Sequence, residues 1–419
     1  MTPGFASTAI WTIWGAATAG VIMRPFKLPE AVWAVAGALL IVGCGLLPLD
    51  AAWAAVRTGG DVYLFLIGMM LLSETARTAG VFDWVAIRTV NAARGSSRRL
   101  FALVFAVGTV VTIFLSNDAT AVVLTPAVYA AAQKAGAKPL PLLFACAMIA
   151  NAASFVLPIS NPANLVLYGG TMPPLGAWLE SFGVPSLLAI AATFGILAWV
   201  ERGSLGAPCR CDLAQPDLSR GGMIAVAGII GTAALLVTVS AFDTPLGLPT
   251  CLAGIATMLL VCIGGRRTPV PILSSISWSV LPLVAGLFVL VAALAQTGVV
   301  AAIAQLLHDA AQTAPRSTAA SAATILAIGS NLINNLPAGL IASTTIHQAH
   351  PPQVVTDALL IGVDLGPNLS ITGSLATILW LTAIRREGMD VGFWQFLRVG
   401  ARVMPPALAL ALAARIAIG

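Results

Sequence analysis

The chain has 419 residues, 58% of them hydrophobic and 9% charged, with a mean hydropathy of +0.95. A soluble domain carries roughly a quarter charged residues, so this composition excludes a soluble globular protein and predicts an all-α polytopic membrane protein. The net charge of +5 is accounted for by loop charges that orient membrane spans, so nucleic acid is not an expected partner.

No cleavable signal pattern is read at the start, because the first apolar run, from Phe5, has no basic residue before it. Runs of about 18 to 20 apolar residues, the length that crosses a bilayer core, are read near 5–22, 30–48, 61–79, 140–169, 176–200, 221–240, 248–265, 278–296, 354–384 and 400–418. Two more apolar stretches, 100–133 and 318–346, are interrupted at their centres by polar residues. They are predicted to be re-entrant hairpins, which enter the membrane and return to the same side. The runs 140–169 and 354–384 also carry polar interruptions and are predicted to be broken transmembrane helices.

The two halves correspond. Gly68 and Gly286, Gly80 and Gly298, and Asn117 and Asn335 are each 218 residues apart in similar contexts. The expected organisation is an N-terminal repeat over 1–200, a cytoplasmic linker over 201–220 containing Pro208, Asp212, Pro216 and Asp217, and a C-terminal repeat over 221–419. If the N-terminus is outside, the inner loops hold Arg24, Lys27, Arg77, Arg88, Arg94, Arg98, Arg99, Lys134, Lys138, Arg202, Arg210, Arg220, Arg266, Arg267, Arg385, Arg386, Arg398 and Arg402. The outer side then keeps only Arg57, Arg316 and Arg415. That bias places the protein in the inner (plasma) membrane with its N-terminus outside, and makes the repeats inverted. Inverted repeats with broken helices are the pattern of secondary transporters.

Four polar breaks fall at membrane depth: Ser116-Asn117-Asp118 with Thr120; Pro158 to Asn164 with Asn151 upstream; Asn331 to Pro337; and Asp364 to Ser374. Backbone freed by a broken helix must line a protein cavity, since lipid offers it no partner. Half-helix ends then direct partial charges into that cavity. The candidate substrate-binding residues are Ser116, Asn117, Asp118, Thr120, Asn151, Ser160, Asn161, Asn164, Asn334, Asn335, Asp364, Asn368, Thr372 and Ser374. A lone Ser or Thr in a span usually bonds its own helix, and a lone Asn usually joins two helices. Four clusters at symmetric places favour a pocket instead. Asp118 and Asp364 are the intramembrane carboxylates and so the candidates for proton coupling.

Other charged and reactive residues read as less informative. Glu74 and Arg77, one turn apart, are expected to pair at a span end. Asp61 and Asp83 are placed at span edges, and His308, His347 and His350 in solvated outer loops. The six cysteines are scattered, and the one close pair, Cys209 and Cys211, makes no metal cage. Neither a metal site nor a cofactor is expected.

Over essentially its full length the chain resembles the arsenite efflux permeases of the ion transporter superfamily. The segments that carry this resemblance are DVYLFLIGMMLLSETARTAGVFDWVA (61–86), SNDATAVVLTP (116–126), SNLINNLPAGL (330–340) and GVDLGPNLSITGSLATILWL (362–381). The last is the most specific; the others are shared with citrate, dicarboxylate and sodium/proton carriers. The resemblance implies two inverted five-span repeats, each with a hairpin and a broken helix. It also implies outward movement of arsenite and antimonite linked to inward movement of protons. Its motifs fall here on Ser116, Asn117 and Asp118, on Asn334 and Asn335, on Ser160 to Asn164, and on Asp364 to Ser374. Some relatives dock a soluble arsenite-stimulated ATPase and superfamily members are often dimers, so both partners stay open. Three rival readings remain: a sodium/proton antiporter or an organic-anion carrier on the same fold, and, from a different class, an intramembrane aspartyl hydrolase. Against the last, Asp364 stands in Gly-Val-Asp rather than the GxGD expected there.

Overall fold

In the computed structural model the described residues, 3–419 apart from 170–171, 215–216, 243 and 267, form helices joined by turns and short extended segments. Pro216 and Arg267 thus lie outside the described residues. In the first repeat these are α1 (Pro3–Met23), α2 (Glu30–Gly43), α3 (Leu49–Thr58), α4 (Gly60–Thr78), α5 (Val81–Ala92), α6 (Ser97–Phe114), α7 (Asn117–Ala119), α8 (Thr125–Lys134), α9 (Pro139–Ala152), α10 (Pro162–Tyr168) and α11 (Leu175–Val200). In the second they are α12 (Arg220–Ala241), α13 (Gly247–Gly265), α14 (Val270–Ser275), α15 (Val280–Gln296), α16 (Val299–Thr313), α17 (Pro315–Ile333), α18 (Asn335–Ala349), α19 (Gln353–Leu365), α20 (Leu375–Arg386) and α21 (Phe393–Ile418). A π-helical stretch, Thr120–Leu124, joins α7 to α8. With α7 and α8 counted as one limb, the repeats match element for element.

The match extends to backbone detail. Gly80 and Gly298 adopt left-handed φ values of 79° and 84° and cap α5 and α16 in the same way. That conformation costs a residue with a Cβ more than it costs glycine. The hairpins run α6 to α8 and α17 to α18, turning at Ser116 and Asn334. The broken helices are α9–α10 and α19–α20.

Among the described residues, six helices (α1, α6, α11, α12, α13 and α21) are each long and apolar enough to cross a bilayer. The bent pairs α3–α4 and α15–α16, kinked by 46° and 75°, bring the number to eight. The remaining crossings expected from the sequence are not single long helices. α2 has 14 residues, because the chain turns at Gly45 (φ 68°), short of the expected boundary at 48. α9 also has 14 residues and reaches further only through its break into α10.

The two repeats are inverted and packed by exchange. α4 lies against α13, and its counterpart α15 lies against α2, the counterpart of α13. Likewise α10 meets α18 while α20 meets α8. Gly68 makes the first contact possible. A Cβ there would strike the backbone of Thr250, as a Cβ on Gly254 would strike Gly68 itself. Small residues let membrane helices approach to backbone contact, where dispersion replaces the missing hydrophobic drive.

The linker is not free. Its extended part crosses the base of the first hairpin: Cys209 N donates to Gly95 O (3.0 Å), Arg210 N to Ala135 O (2.8 Å), and Ser97 Oγ to Ala207 O (2.6 Å).

Candidate functional site

The second, third and fourth breaks join one buried polar network that also reaches α6 of the first hairpin. Ser160 Oγ donates to Ile113 O (3.0 Å), tying the second break to the first hairpin. Asn335 N donates to Gly373 O (2.9 Å), and Asn334 Nδ2 lies 3.4 Å from Thr372 O, tying the second hairpin to the fourth break. Across the two repeats, Asn161 Nδ2 donates to Asp364 Oδ1 at 2.8 Å. Asn151 Nδ2 reaches Asn368 Oδ1 (3.1 Å) and Thr377 Oγ1 (3.3 Å), and its Oδ1 accepts from Ser374 Oγ (3.1 Å).

The bonds sort the predicted residues by task. Asn151, Asn368 and Ser374 hold the two broken helices together, and Asn368 Nδ2 also donates to Met148 O (2.9 Å). Thr120 shares a hydrogen bond with Thr112 (2.8 Å) inside the first hairpin. Thr372 Oγ1 donates to Asn331 O (2.8 Å). Ser116, Asn161, Asn334 and Ser374 accept from backbone N–H groups at the starts of α7, α10, α18 and α20. Asn117 Oδ1 accepts from Asp118 N (2.9 Å). These are the short-range uses that Asn, Ser and Thr serve wherever helix ends need acceptors.

Three predicted residues keep a buried oxygen without a hydrogen-bond partner: Asn164 Oδ1, Asn335 Oδ1 and Asp364 Oδ2. Asn164 spends its amide on the carbonyls of Ser154 (2.9 Å), Leu157 (3.3 Å) and Pro158 (3.2 Å). The Ser154 hydroxyl, beside Asp364, gives its proton to Asn151 O (2.7 Å). An unmatched buried acceptor costs about 1–3 kcal/mol unless something supplies a donor.

Two cavities approach this network from opposite ends of α4. One, of about 590 Å3, is lined by Asp61 at the start of α4, by Leu165, Val166 and Gly169 of α10 and its end, and by Ser343 and His347 of α18. The other, of about 70 Å3, is lined by Ser73 and Glu74 near the end of α4, by Ser116 and Asp118, and by Pro162. α10 therefore stands between them, with its first residue on the narrow side and its body on the wide side. The half-buried Asp118 lines the narrow cavity.

Two histidines expected in outer loops sit on helices, His308 in α16 and His347 in α18. His347 lines the wide cavity, and His308 Nδ1 lies 2.8 Å from Ala349 O. Asp61 is at the start of α4, as expected, and there accepts from Gly247 N (2.8 Å). Glu74 does pair with Arg77, Nε to Oε2 2.9 Å. The sequence reading passed over a further intramembrane carboxylate. Asp357 is fully buried and ion-paired to Arg415 (2.7 Å), itself only 3% exposed. Both lie near the ends of apolar runs, where charge reads as solvated. The available signal was the spacing of Asp357 and Asp364, two turns apart on one helical face.

The chain matches the CitMHS family model, described as citrate transporter, over residues 10–386. The chain belongs to this family. It is 27% identical to an uncharacterized transporter of Mycobacterium tuberculosis H37Rv, over 89% of this chain and 90% of that one. It is 26% identical to the arsenical pump membrane protein of Yersinia enterocolitica (89% of both chains) and 24% identical to that of Escherichia coli (94% and 95%). Among solved structures its fold is similar to the YdaH transporter of Alcanivorax borkumensis, with a TM-score of 0.59 at 15% identity over 92% of this chain and 97% of that one. Neisseria gonorrhoeae MtrF, described with a class of antimetabolite efflux pumps, gives 0.53 at 16% identity over 91% and 84%. The protein is thus a multi-pass secondary transporter and not an enzyme.

Proposed function

We propose that this CitMHS-family transporter exports arsenite and antimonite in exchange for protons, by alternating access across α10. The observation that carries this reading is the surplus of buried acceptors in Asn164, Asn335 and Asp364. None of the four breaks contains Lys or Arg. Arsenous acid at neutral pH is an uncharged trihydroxide, so it brings O–H donors to a site short of them and needs no cation to hold it. Relatives named arsenical pump membrane proteins support the same substrate class.

Asn164 and Asn335, with neighbouring Ser, Thr and Asn groups, would hold the metalloid hydroxide. Asp118 and Asp364 would carry the proton. The wide cavity beside the narrow one fits a carrier open to one side of the membrane at a time. By charge bias that wide side faces out, with the N-terminus, and the membrane is the inner one. A soluble ATPase and a second copy of the chain are further candidate partners.

A second reading, an organic-anion carrier, is favoured by a separate observation. The half-helices α7, α10, α18 and α20 all begin at the breaks, and helix N-termini attract anions.

Uptake of arsenite into everted vesicles under an imposed proton gradient separates the two readings. Accumulation that collapses with an uncoupler is expected. Movement of citrate or another carboxylate, with arsenite excluded, would replace the first reading with the second. Converting both Asp118 and Asp364 to Asn is expected to abolish proton-linked transport while leaving substrate binding. Intact coupling in that variant would remove the proton role from both.

A further inference from the structure

Asp357 and Asp364 lie seven residues apart on α19, both facing α10, which runs the opposite way. Asn161 and Tyr168, also seven apart, meet them in reverse order: Asn161 bonds Asp364 (2.8 Å) and Tyr168 Oη donates to Asp357 Oδ1 (2.5 Å). The result is a ladder with two rungs, two helical turns apart, joining the first repeat's half-helix to the second repeat.

The rungs differ in how they are completed. Asp357 collects donors on both oxygens. Tyr168 and Gln353 Nε2 (2.7 Å) reach Oδ1, while Arg415 Nε and Nη2 (2.7 Å each) reach Oδ2. Asp364 has Asn161 on one oxygen and no hydrogen-bond partner on the other. A buried carboxylate matched by a guanidinium and two further donors is held in one geometry. A carboxyl group with an open oxygen can exchange partners.

We propose that Tyr168, Asp357 and Arg415 form a positioning rung that fixes α10 to α19 and so presents Asn161 to Asp364. None of the three touches the reacting carboxyl; each acts through the placement of α10. Because α10 is also the partition between the two cavities, the rung makes that partition move with α19 and α21 of the second repeat. The inference rests on the reading of Asp364 as part of the transport site.

The test uses the full-length protein in lipid nanodiscs and needs no substrate. The infrared band of the Asp364 carboxyl group is assigned by its loss in Asp364→Asn. In Tyr168→Phe, which keeps the ring against Trp178 (centroids 5.6 Å apart), the band is expected to shift as Asn161 loosens. Gln353→Met removes a donor from Asp357 and a long contact to Tyr168 Oη (3.5 Å) but leaves the Tyr168–Asp357 bond in place, so its band is expected to shift less than in Tyr168→Phe. The single variants Asp357→Asn and Arg415→Met are expected to lose folded yield. The double variant is expected to recover that yield, because no buried charge is left alone, and to show the shifted band. A band at the wild-type position in both Tyr168→Phe and the double variant overturns the proposal. So does an equal shift in Gln353→Met. If the wild-type protein moves no arsenite and these band shifts still appear, the substrate reading falls and the rung stands.

Discussion

At the first hairpin tip Ser116 and Asp118 line a cavity of about 70 Å3. At the second, Asn334 and Leu336 stand in the corresponding places beside a cavity of about 10 Å3. Pro162, which opens α10, borders the first cavity, and Leu375, which opens α20, borders the second. The tips hold equivalent places in the helix order, but backbone and side chains both differ: φ is 158° at Ser116 and 73° at Asn334, and a π-helical stretch follows the first tip. The two repeats place a hairpin tip at equivalent points of the chain. Three exchanges (serine for asparagine, carboxylate for leucine, and proline for leucine) accompany the change from the wider first cavity to the nearly closed second, which Glu30 also lines. The symmetry therefore belongs to the order of the helices, while the side chains at the two tips differ.

The comparison can be broken by copying one tip into the other. Asp118→Leu makes the first tip resemble the second. It is expected to reduce transport about 100-fold, equivalent to ~2.7 kcal/mol, with normal membrane insertion; vesicle flux against immunodetected protein measures it. Transport within a few-fold of wild type would make the two tips functionally alike. The reverse change, Leu336→Asp, places a carboxylate where the side chain is 7% exposed and the cavity is closed. A loss of about 3 kcal/mol is expected, seen as a lower thermal midpoint of the purified protein. An unchanged midpoint would show that the second tip already admits water.

Smaller changes sharpen the contrast. Asn335→Ala removes an acceptor without a partner. It is expected to raise the half-saturating substrate concentration about tenfold, ~1.4 kcal/mol, with little effect on stability. Asn117→Ala removes an acceptor already bonded to Asp118 N. It is expected to cost about 1 kcal/mol of stability and less in affinity. The reverse pattern would exchange the roles of the two asparagines. Thr120→Val leaves Thr112 without its hydroxyl partner, for which about 1 kcal/mol of stability is expected to be lost with no change in substrate preference.

The broken helices were legible because polar residues in apolar runs have few physical explanations. Asn, Asp, Ser, Gly and Pro at membrane depth must close on protein, so the breaks announced themselves. The duties of the individual residues were not legible. Asn151 and Asn164 are the same residue type in the same half of the chain. One spends its amide and its carbonyl oxygen across the repeat boundary, while the other keeps its oxygen unmatched. Nothing in the neighbouring sequence separates them.

The sequence by itself determined the membrane class, the duplication, the positions of the breaks and the candidate carboxylates Asp118 and Asp364. Each follows from local composition or from a spacing along one chain. Only the tertiary structure decided that Asp357 pairs with Arg415, that Asn161 reaches Asp364, that α10 divides a wide cavity from a narrow one, and that the linker straps the first hairpin. Those facts depend on which helices exchange between the repeats. Exchange is set by backbone approach at small residues such as Gly68 and Gly254, a property of helix pairs that no single stretch of sequence contains.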